Sequence, residues 1–245
     1  MEKLKEKKYP GRLIILGKDL SGKKVIAVYA ITGRSPSSQA RRLVRKNNSI
    51  WTEAIGERKL RAAKTEILLY PALYLSKGIA IGNGQQTEAV KNNLKPDHNP
   101  LQILSSALAE WSYENDPPLF TPRISGCLVS SDKAALSIIK KGEDSFLLRN
   151  IFEFPLIPGK GKLISTYQGK NRDLVLSFKG EPEEIELKAT NAQDMALAVY
   201  LALEPANGEK DLRIAVVSVF SSDLSSDQYE VSIINRYERK YNSDE

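Results

Sequence analysis

Two arginines stand where the chain enters or leaves a predicted strand, and both could bind an anion. Arg34 follows an apolar run within the sequence GRS, and Arg123 opens another run within TPR. A guanidinium group presents a planar fork of N–H donors that matches phosphate oxygens and carbonyl groups. We therefore expect both side chains to contact an anionic substrate, although each taken alone could also be an ordinary turn arginine.

A glycine-containing loop, GNGQQT at 82–87, connects a predicted strand to a predicted helix. Backbone N–H groups at such a junction can hold an anion or orient an amide. The loop is not followed by Gly-Lys-Ser/Thr, so it is neither a P-loop nor a dinucleotide-binding fingerprint. A plain turn remains the alternative interpretation of this pattern.

The single histidine and the single cysteine limit the other chemistries. His98 lies in the turn-like string KPDHNP, where we expect a solvated loop residue, and Cys127 has no second cysteine to pair with. A Ser-His-Asp triad is disfavoured, a site with two histidine ligands is excluded, and an intrachain disulfide cannot form. This cysteine usage suits a reducing cytoplasm.

Positive charge is concentrated in one window. The chain has 36 Lys+Arg against 30 Asp+Glu, a net charge of +6, whereas the window 34–64 holds nine basic and two acidic residues (9 − 2 = +7). Such a field attracts anions. A solvated helix face is the alternative, and nucleic-acid binding is disfavoured because Trp51 is the only aromatic residue there and no known module is present.

Alternating and helical patterns indicate the elements that must position these groups. The segments 11–17 and 25–32 read as a hairpin, and a basic helix is expected from about Gln39. Residues 191–203 give the clearest helix, with Asn191 as its cap. A strand is also expected at 66–70.

About ten strands with hairpin-length connections predict largely antiparallel sheets, which three or four helices would cover. The expected fold class is therefore a layered α+β domain. We expect a flexible basic arm at 1–9, a single domain at 10–236 and a polar tail at 237–245. No stretch approaches the roughly 20 apolar residues of a membrane helix, and the charged N-terminus is not a secretory signal.

Several separated motifs together resemble the IMP cyclohydrolase family, of the archaeal type and its bacterial relatives. They are YPGR (9–12), GRS (33–35), NGQQT (83–87), TPRISG (121–126), FEFPLIPGKGKLISTYQG (152–169) and SFKGEP (177–182). The resemblance runs from about Pro10 to Glu186. Its specificity comes from the order in which the motifs occur.

The resemblance implies a four-layer αββα sandwich like that of N-terminal nucleophile hydrolases, without the self-processed nucleophile. It also implies a reaction in purine biosynthesis: closure of 5-formamidoimidazole-4-carboxamide ribotide to inosine monophosphate with loss of water. The expected partner is this purine-precursor ribotide. No cofactor or metal is implied, and the expected location is the cytoplasm.

The resemblance also directs attention to particular side chains. Tyr70 and Glu114 are candidates for proton transfer, and Arg34 completes the candidate catalytic set. Asn83 and the Gly84 N–H could hold the carboxamide or the formyl oxygen. The expected substrate-binding residues are Arg12, Tyr29, Arg34, Ser35, Arg41, Asn83, Gly84, Thr121 and Arg123.

Two departures from the family pattern leave alternatives open. Pro71 and Ala40 stand where similar sequences tend to carry asparagine. A related hydrolase or binder of another purine-precursor nucleotide is therefore the first alternative, and a non-enzymatic nucleic-acid-binding protein is the second. The sequence leaves a homo-oligomer open.

Overall fold

The computed structural model describes residues 1–55, 68–95, 98–170, 174–226 and 228–238, whose strands form two sheets. The first sheet consists, in spatial order, of β11 (Glu183–Glu186), β10 (Lys160–Ser165), β1 (Arg12–Lys18), β2 (Val25–Thr32), β12 (Arg213–Ser221) and β13 (Glu230–Asn235). The second consists of β3 (Arg41–Lys46), β4 (Ser49–Ala54), β5 (Pro71–Leu75), β6 (Ile79–Gly82), β7 (Arg123–Leu128), β8 (Lys133–Lys141) and β9 (Leu147–Pro155). Neighbouring strands in both sheets are antiparallel.

The described helices are few and short. They are α1 (Glu2–Lys5), α2 (Pro36–Gln39), α3 (Gln86–Asn92), α4 (Pro100–Ala107) and α5 (Ala192–Ala202), with a 3₁₀ turn at Glu143–Ser145. None of them is long and apolar enough to cross a membrane. The predicted mixture of helix and mostly antiparallel sheet is therefore confirmed.

The main core lies between the two sheets. Ile14 and Val217 of the six-stranded sheet belong to the same buried cluster as Leu73 and Leu136 of the seven-stranded sheet. Removal of this apolar surface from water holds the sheets face to face. Residues 13 and 15 of β1 turn to the opposite side, as the two-residue period of a strand requires.

Helices cover the outward sides of both sheets. Met195 and Val199 of α5 pack with Val28 of β2, and Asn191 caps α5 by accepting a 2.8 Å hydrogen bond from the Asp194 backbone N–H. On the seven-stranded sheet, α3 and α4 pack over the apolar residues of β7 and β8. The predicted helix at 191–203 and its cap are confirmed.

The predicted hairpin at the start of the chain is confirmed as the pair β1–β2. Its turn is held by the Asp19 carboxylate, which accepts hydrogen bonds from the Lys24 N–H at 2.9 Å and the Ser21 hydroxyl at 2.5 Å. An aspartate commonly stabilises a turn in this way. The hairpin places the ends of β1 and β2 beside each other, where several candidate residues lie.

The expected basic helix from about Gln39 is wrong. Between residues 36 and 55 the chain forms the helix α2 and then the strands β3 and β4. Arg41 and Leu43 are buried while Arg42 and Val44 are partly exposed, so the burial alternates with the period of a strand. The remaining basic residues of the window, at 58–64, lie outside the described residues, as does part of the strand expected at 66–70; the strand begins instead at Pro71.

The segment expected to be a flexible arm contains α1, and its Leu4 is fully buried among residues packed under α5. Lys7 pairs with Glu183 of β11 at 2.7 Å, and Tyr9 forms a β-bridge with Gly169. The apolar side chain of Leu4 holds this charged segment against the domain, whereas the many charges around it had indicated a solvated arm.

The two sheets are joined at one edge by an asparagine. Asn235 at the end of β13 accepts a hydrogen bond from the Leu43 N–H at 2.8 Å and donates to the Leu43 carbonyl at 3.0 Å. The next residue, Arg236, donates to Gln39 Oε1 at 2.8 Å. These bonds satisfy the outward backbone groups of Leu43 in the edge strand β3, and they hold the end of α2 and the start of β3 in place.

Candidate active site

A cleft of about 340 Å³ opens where strand ends from both sheets meet. Arg12 opens β1, Thr32 closes β2, Arg41 opens β3, and Thr121 lies just before β7. The lining residues are Tyr9, Arg12, Thr32, Arg34, Ser35, Ser37, Ser38, Arg41, Leu68, Asp116, Pro117, Pro118, Leu119, Thr121 and Tyr167. This volume lies within the range of about 300–1,000 Å³ typical of small-molecule sites.

Three arginines give the cleft a positive character. The guanidinium of Arg34 stacks 4.8 Å from the Tyr9 ring centre, and Arg12 lies beneath at 7% exposure. Arg41 is 1% exposed, and among the described residues it donates to the backbone carbonyls of Ser38 at 3.0 Å and Leu68 at 3.4 Å. No carboxylate of the described residues lies within 4 Å of it.

Burial of Arg41 lowers the pKa of its guanidinium, because the charged form loses its hydration. A buried charge without a counter-ion costs free energy that a bound anion would offset. The cleft is thus prepared for a ligand that carries negative charge.

Below the cleft, a buried carboxylate lies between two arginines. Arg12 Nη2 is 3.4 Å from both oxygens of Glu114, and Arg123 Nη1 is 3.9 Å from one of them. Burial raises the pKa of Glu114 to about 7, although both arginines act in the opposite direction. Its proton can therefore be gained or lost near neutral pH, which suits a general acid or base.

Two tyrosines from different sheets meet beside this carboxylate. The hydroxyls of Tyr29 on β2 and Tyr70 before β5 are 2.7 Å apart, and Arg12 Nε donates to the Tyr70 oxygen at 3.4 Å. Both side chains are fully buried, and burial raises the pKa of Tyr29 well above its ordinary value. Thr52 holds the Tyr70 backbone, because its Oγ1 accepts from the Tyr70 N–H at 2.8 Å.

One wall of the cleft is a hydrogen-bonded row. Asp116 accepts from the Thr121 N–H at 2.6 Å and the Thr121 hydroxyl at 2.5 Å, and that hydroxyl lies 2.9 Å from the Tyr167 hydroxyl. Tyr167 stacks on Tyr9 with ring centres 5.5 Å apart. Burial raises the pKa of Tyr167 to about 12, so the phenol stays protonated at neutral pH.

Sequence reasoning missed Asp116, Tyr9 and Tyr167. The two tyrosines lie inside the motifs YPGR and FEFPLIPGKGKLISTYQG, so the signal was present, but Arg12 was the one residue of these two motifs taken as a site residue. Asp116 stands in a proline-rich loop, where a solvated turn is the usual role of an aspartate. Its burial against Thr121 arises only from tertiary structure.

Asn83 and Gly84 do not line the cleft. The Asn83 side chain is fully buried and donates to the Pro122 carbonyl at 2.9 Å, while its oxygen accepts from the Ile124 N–H at 2.8 Å and from Gln86 at 3.0 Å. Its hydrogen-bonding groups are therefore occupied by the protein itself. The Gly84 carbonyl accepts from the Thr87 N–H and hydroxyl at the start of α3.

Gly84 nevertheless leaves space for Arg123. A methyl group added at this glycine would lie 2.5 Å from Arg123 Nη1. Arg123 itself donates to the Ser112 carbonyl at 2.9 Å and to Gln86 Oε1 at 3.0 Å, and it stacks on Trp111. The NGQQT loop thus holds an arginine that faces Glu114.

The structure therefore divides the predicted site residues into three groups. Those that line the cleft are Arg12, Arg34, Ser35, Arg41 and Thr121. Those that lie beneath it are Tyr29, Tyr70, Glu114 and Arg123, which are joined to Arg12 directly or through one neighbour. Asn83 and Gly84 lie outside the cleft lining, where Asn83 bonds to Pro122 and Ile124, and the expected contact of Asn83 with a substrate stays a prediction.

The other charged features have simpler explanations. Arg42 and Lys46 pair with Glu53 at 3.5 and 2.7 Å, which neutralises part of the basic window. His98 is exposed in the turn before α4, as expected. Within the described ranges, no cluster of three or more His, Cys, Asp or Glu side chains could hold a metal ion.

A second pocket, of about 270 Å³, lies between the N-terminal segment and the loop after α5. Lysines and glutamates are among its lining residues, and three of the lysines form ion pairs: Lys5 with Glu2, Lys7 with Glu183 and Lys8 with Glu209. The charged side chains of this second pocket are mostly exposed, whereas the buried titratable residues Glu114, Tyr29 and Tyr70 lie beneath the 340 Å³ cleft.

Comparison with known proteins identifies the family of the chain. A family model described as "IMP cyclohydrolase-like protein" matches residues 9–223. The chain is 30% identical over 185 residues to an IMP cyclohydrolase of Haloquadratum walsbyi, covering 74% of this chain and 83% of the relative. It is 25% identical over 195 residues to an IMP cyclohydrolase of Halobacterium salinarum, covering 79% and 85%.

Proposed function

Because the chain belongs to the IMP cyclohydrolase-like protein family, we propose that it is an IMP cyclohydrolase. It closes the ring of 5-formamidoimidazole-4-carboxamide ribotide to inosine monophosphate and releases water. The observation that carries this proposal is the cleft with three arginines above a buried carboxyl whose pKa is about 7. A ribotide needs cationic groups for its phosphate, and ring closure needs a proton acceptor near neutral pH.

The phosphate is held by Arg34 and Arg41, with hydroxyls of the GRSPSS loop beside them. Arg41 supports this assignment because it is buried in the cleft wall without a described carboxylate partner. Ser35 supplies a hydroxyl that already accepts from the Ser38 N–H at 3.2 Å and so is fixed in place. The substrate's charge offsets the cost of burying the guanidinium.

The ribose lies along the Asp116 wall. Each Asp116 oxygen accepts a hydrogen bond from Thr121, and a carboxylate has about four acceptor positions in total. The unused positions can accept the hydroxyls of the sugar. The aromatic faces of Tyr9 and Tyr167 flank the same side.

The reaction forms one C–N bond and breaks one C–O bond. The carboxamide nitrogen attacks the formyl carbon and loses one proton, and the formyl oxygen becomes a hydroxyl. The formamido nitrogen then loses its N–H proton and forms the ring C=N bond, while the hydroxyl is protonated and leaves as water. Both reacting groups belong to one molecule, so orientation supplies much of the acceleration. Glu114 and Tyr70 transfer the protons, and Arg12 stabilises the charge that develops on the formyl oxygen.

Arg12 also controls access to Glu114. Their contacts of 3.4 Å are longer than the 2.7–2.9 Å of a strong charge-assisted hydrogen bond. A bound anion competes for the guanidinium, which then turns toward the cleft and uncovers the carboxyl. Arg123 stays beside Glu114 because Ser112 and Gln86 hold it.

The four-layer αββα arrangement of N-terminal nucleophile hydrolases is proposed as the fold. Its support is the packing of α5 on one sheet and of α3 and α4 on the other, with the shared core between. The proposed location is the cytoplasm, which is supported by the lone, buried cysteine.

Incubation of the purified chain with the formamido ribotide tests the function. We expect inosine monophosphate to appear, as followed by absorbance and mass. Tight binding of the ribotide without turnover would contradict the proposal and favour a related nucleotide as the substrate. An Arg42→Ala variant is the matched control, because Arg42 is a partly exposed arginine next to Arg41 that does not line the cleft.

A further inference from the structure

Of the four sheet edges, β9 is the one that is both long and open. β3 has six residues, and Asn235 occupies the backbone groups of its Leu43; β13, which ends the other sheet beside it, also has six residues. β11 is only four residues long and acidic, Glu183–Glu186. β9 has nine residues, and within the described chain it pairs on one side alone, with β8. Long open edges attract further strands unless something blocks them.

The register shows which backbone groups of β9 point outward. The Gly142 N–H donates to the Phe146 carbonyl, and the Leu156 N–H donates to the Asp132 carbonyl, at the two ends of an unbroken β8–β9 ladder. Even-numbered residues of β9 therefore face β8, because alternate residues bond to opposite sides. Leu147, Arg149, Ile151 and Glu153 present their backbone groups to the open side.

These outward residues are self-complementary about Ile151. In an antiparallel pairing centred there, Ile151 faces its own copy and Arg149 faces Glu153, twice. Both pairs consist of outward-facing residues, so their N–H and C=O groups can bond across the edge. Each side chain also has partners in its own chain: Arg149 Nη2 donates to the Ala109 and Trp111 carbonyls, and Glu153 Oε1 accepts from Lys133 at 3.2 Å. Arg149 Nε and Glu153 Oε2 are buried and lack a hydrogen-bond partner among the described residues.

Apolar residues at the two ends of β9 fit the same register. Phe146, Leu147 and Leu148 are 70%, 42% and 43% exposed at the start of the strand, and Ile157 is 45% exposed just past its end. The pairing centred on Ile151 sets Leu147 opposite Pro155 and brings Phe146 beside Ile157 of the second copy. Exposed apolar side chains from opposite ends would thus cover each other.

We propose that two copies of this chain associate through β9, antiparallel across a two-fold axis at Ile151. The two seven-stranded sheets then form one continuous sheet. Such an interface is self-complementary, as two-fold symmetry requires. It lies outside the set of cleft-lining residues, so it does not depend on the proposed function.

Site-directed cross-linking tests this register. Facing residues that are hydrogen-bonded across antiparallel strands have Cα atoms about 5.5 Å apart, within the range of about 4.4–6.8 Å for a disulfide. Mild oxidation of dilute Ile151→Cys protein should give a disulfide-linked dimer as the main product. Leu148→Cys is the matched control: it is more exposed, but its two copies would be about 20 Å apart at 3.4 Å per residue. Cys127 is buried and should not compete.

Absence of the Ile151→Cys dimer, or equal cross-linking of Leu148→Cys, would overturn the proposal.

Charge variants give a second test by sedimentation. Arg149→Glu sets two glutamates opposite each other in the pairing, and Glu153→Arg sets two arginines opposite each other, so each variant alone should be monomeric. When the two variants are mixed, each glutamate faces an arginine of the other variant, and the mixture should dimerise. Arg149 also donates to the Ala109 and Trp111 carbonyls, so the melting temperature of each variant is measured to confirm folding. Mixed samples that stay monomeric although both variants fold would contradict the pairing.

Discussion

The hydroxyl oxygens of Tyr29 and Tyr70 lie 2.7 Å apart, although one tyrosine belongs to the six-stranded sheet and the other precedes a strand of the seven-stranded sheet. Either hydroxyl can donate in this pair, and the arrangement in which Tyr29 donates leaves the Tyr70 hydrogen free to serve the reaction, while Tyr70 accepts from Arg12 as well. Tyr70→Phe should lower kcat by about 100-fold or more, as loss of a proton donor usually does. Tyr29→Phe should cost about tenfold, the effect of one lost positioning hydrogen bond. Steady-state kinetics decides, and equal losses would show that Tyr70 has no special role.

The second prediction concerns the pH dependence of activity. If Glu114 accepts the proton, its carboxylate form is needed, so kcat/KM should fall as the pH drops below about 7. Glu114→Gln should lose about 10²–10⁴ of the rate and keep a flat profile through that range. A wild-type profile that is flat from pH 5.5 to 8 would remove Glu114 from the proton-transfer step.

Stability should respond to the same group. The pKa of Glu114 is raised from its ordinary 4.5 to about 7, so the folded protein binds the proton more tightly than the unfolded chain. This contribution is fully present below pH 4.5 and is lost as the pH rises through about 7, and it amounts to at most about 3 kcal/mol. Urea unfolding at several pH values should therefore show wild type losing stability relative to Glu114→Gln over this window. A constant difference between the two proteins would contradict the shifted pKa.

The fourth prediction separates the cleft from the surface. Arg34→Ala should reduce kcat/KM by at least about 100-fold, since a charge-assisted contact to the ribotide is lost. The melting temperature should change little, because the guanidinium lies partly exposed over Tyr9. Arg42→Ala, whose side chain pairs with Glu53 at 3.5 Å, should keep nearly full activity. If both variants behave alike, the phosphate is bound elsewhere.

The fifth prediction assigns Asn83 to stability. Asn83→Ala would leave the Pro122 carbonyl and the Ile124 N–H unsatisfied in a buried place. The free energy of unfolding should fall by about 2–3 kcal/mol, which lowers the melting temperature by about 2–4 °C per kcal/mol at this chain length. Asn93→Ala is the control, because that side chain makes one bond to a helix carbonyl and is half-buried. We expect Asn83→Ala to be active but less stable. Loss of activity without loss of stability would instead show that Asn83 contacts the substrate.

Local patterns were sufficient for the elements with clean periodicity. The β1–β2 hairpin and α5 with its Asn191 cap follow directly from alternation, helical spacing and a capping residue. The β3–β4 hairpin was mistaken for a helix because Arg41, a charged residue, occupies an inward position that the pattern reserves for apolar ones. Such an exception is characteristic of a site residue, since burying a charge needs a reason outside local structure.

The site was predicted in part for a similar reason. The flanking Gly33 and Ser35 directed attention to Arg34, and the family resemblance directed it to Arg41; both line the cleft, whereas Asn83 does not. A sequence shows that an amide or carboxylate is present, but its burial and partners depend on segments far along the chain. The contact of Glu114 with Arg12, which are 102 positions apart, is of this kind.

The hydrogen bonds of Asn235 and Arg236 tie the end of the last described strand to the segment that carries Arg41. The family match ends at residue 223, yet these two residues brace Leu43 and Gln39, which flank the cleft arginine Arg41. We expect a chain cut after residue 223 to keep every proposed contact residue and still bind the phosphate poorly. The contacts of Asn235 and Arg236 that hold the backbone on both sides of Arg41 would be lost. Activity would then depend on β13 and Arg236, although none of their residues is proposed to touch the substrate. A weaker affinity of the shortened chain for inosine monophosphate would show this dependence.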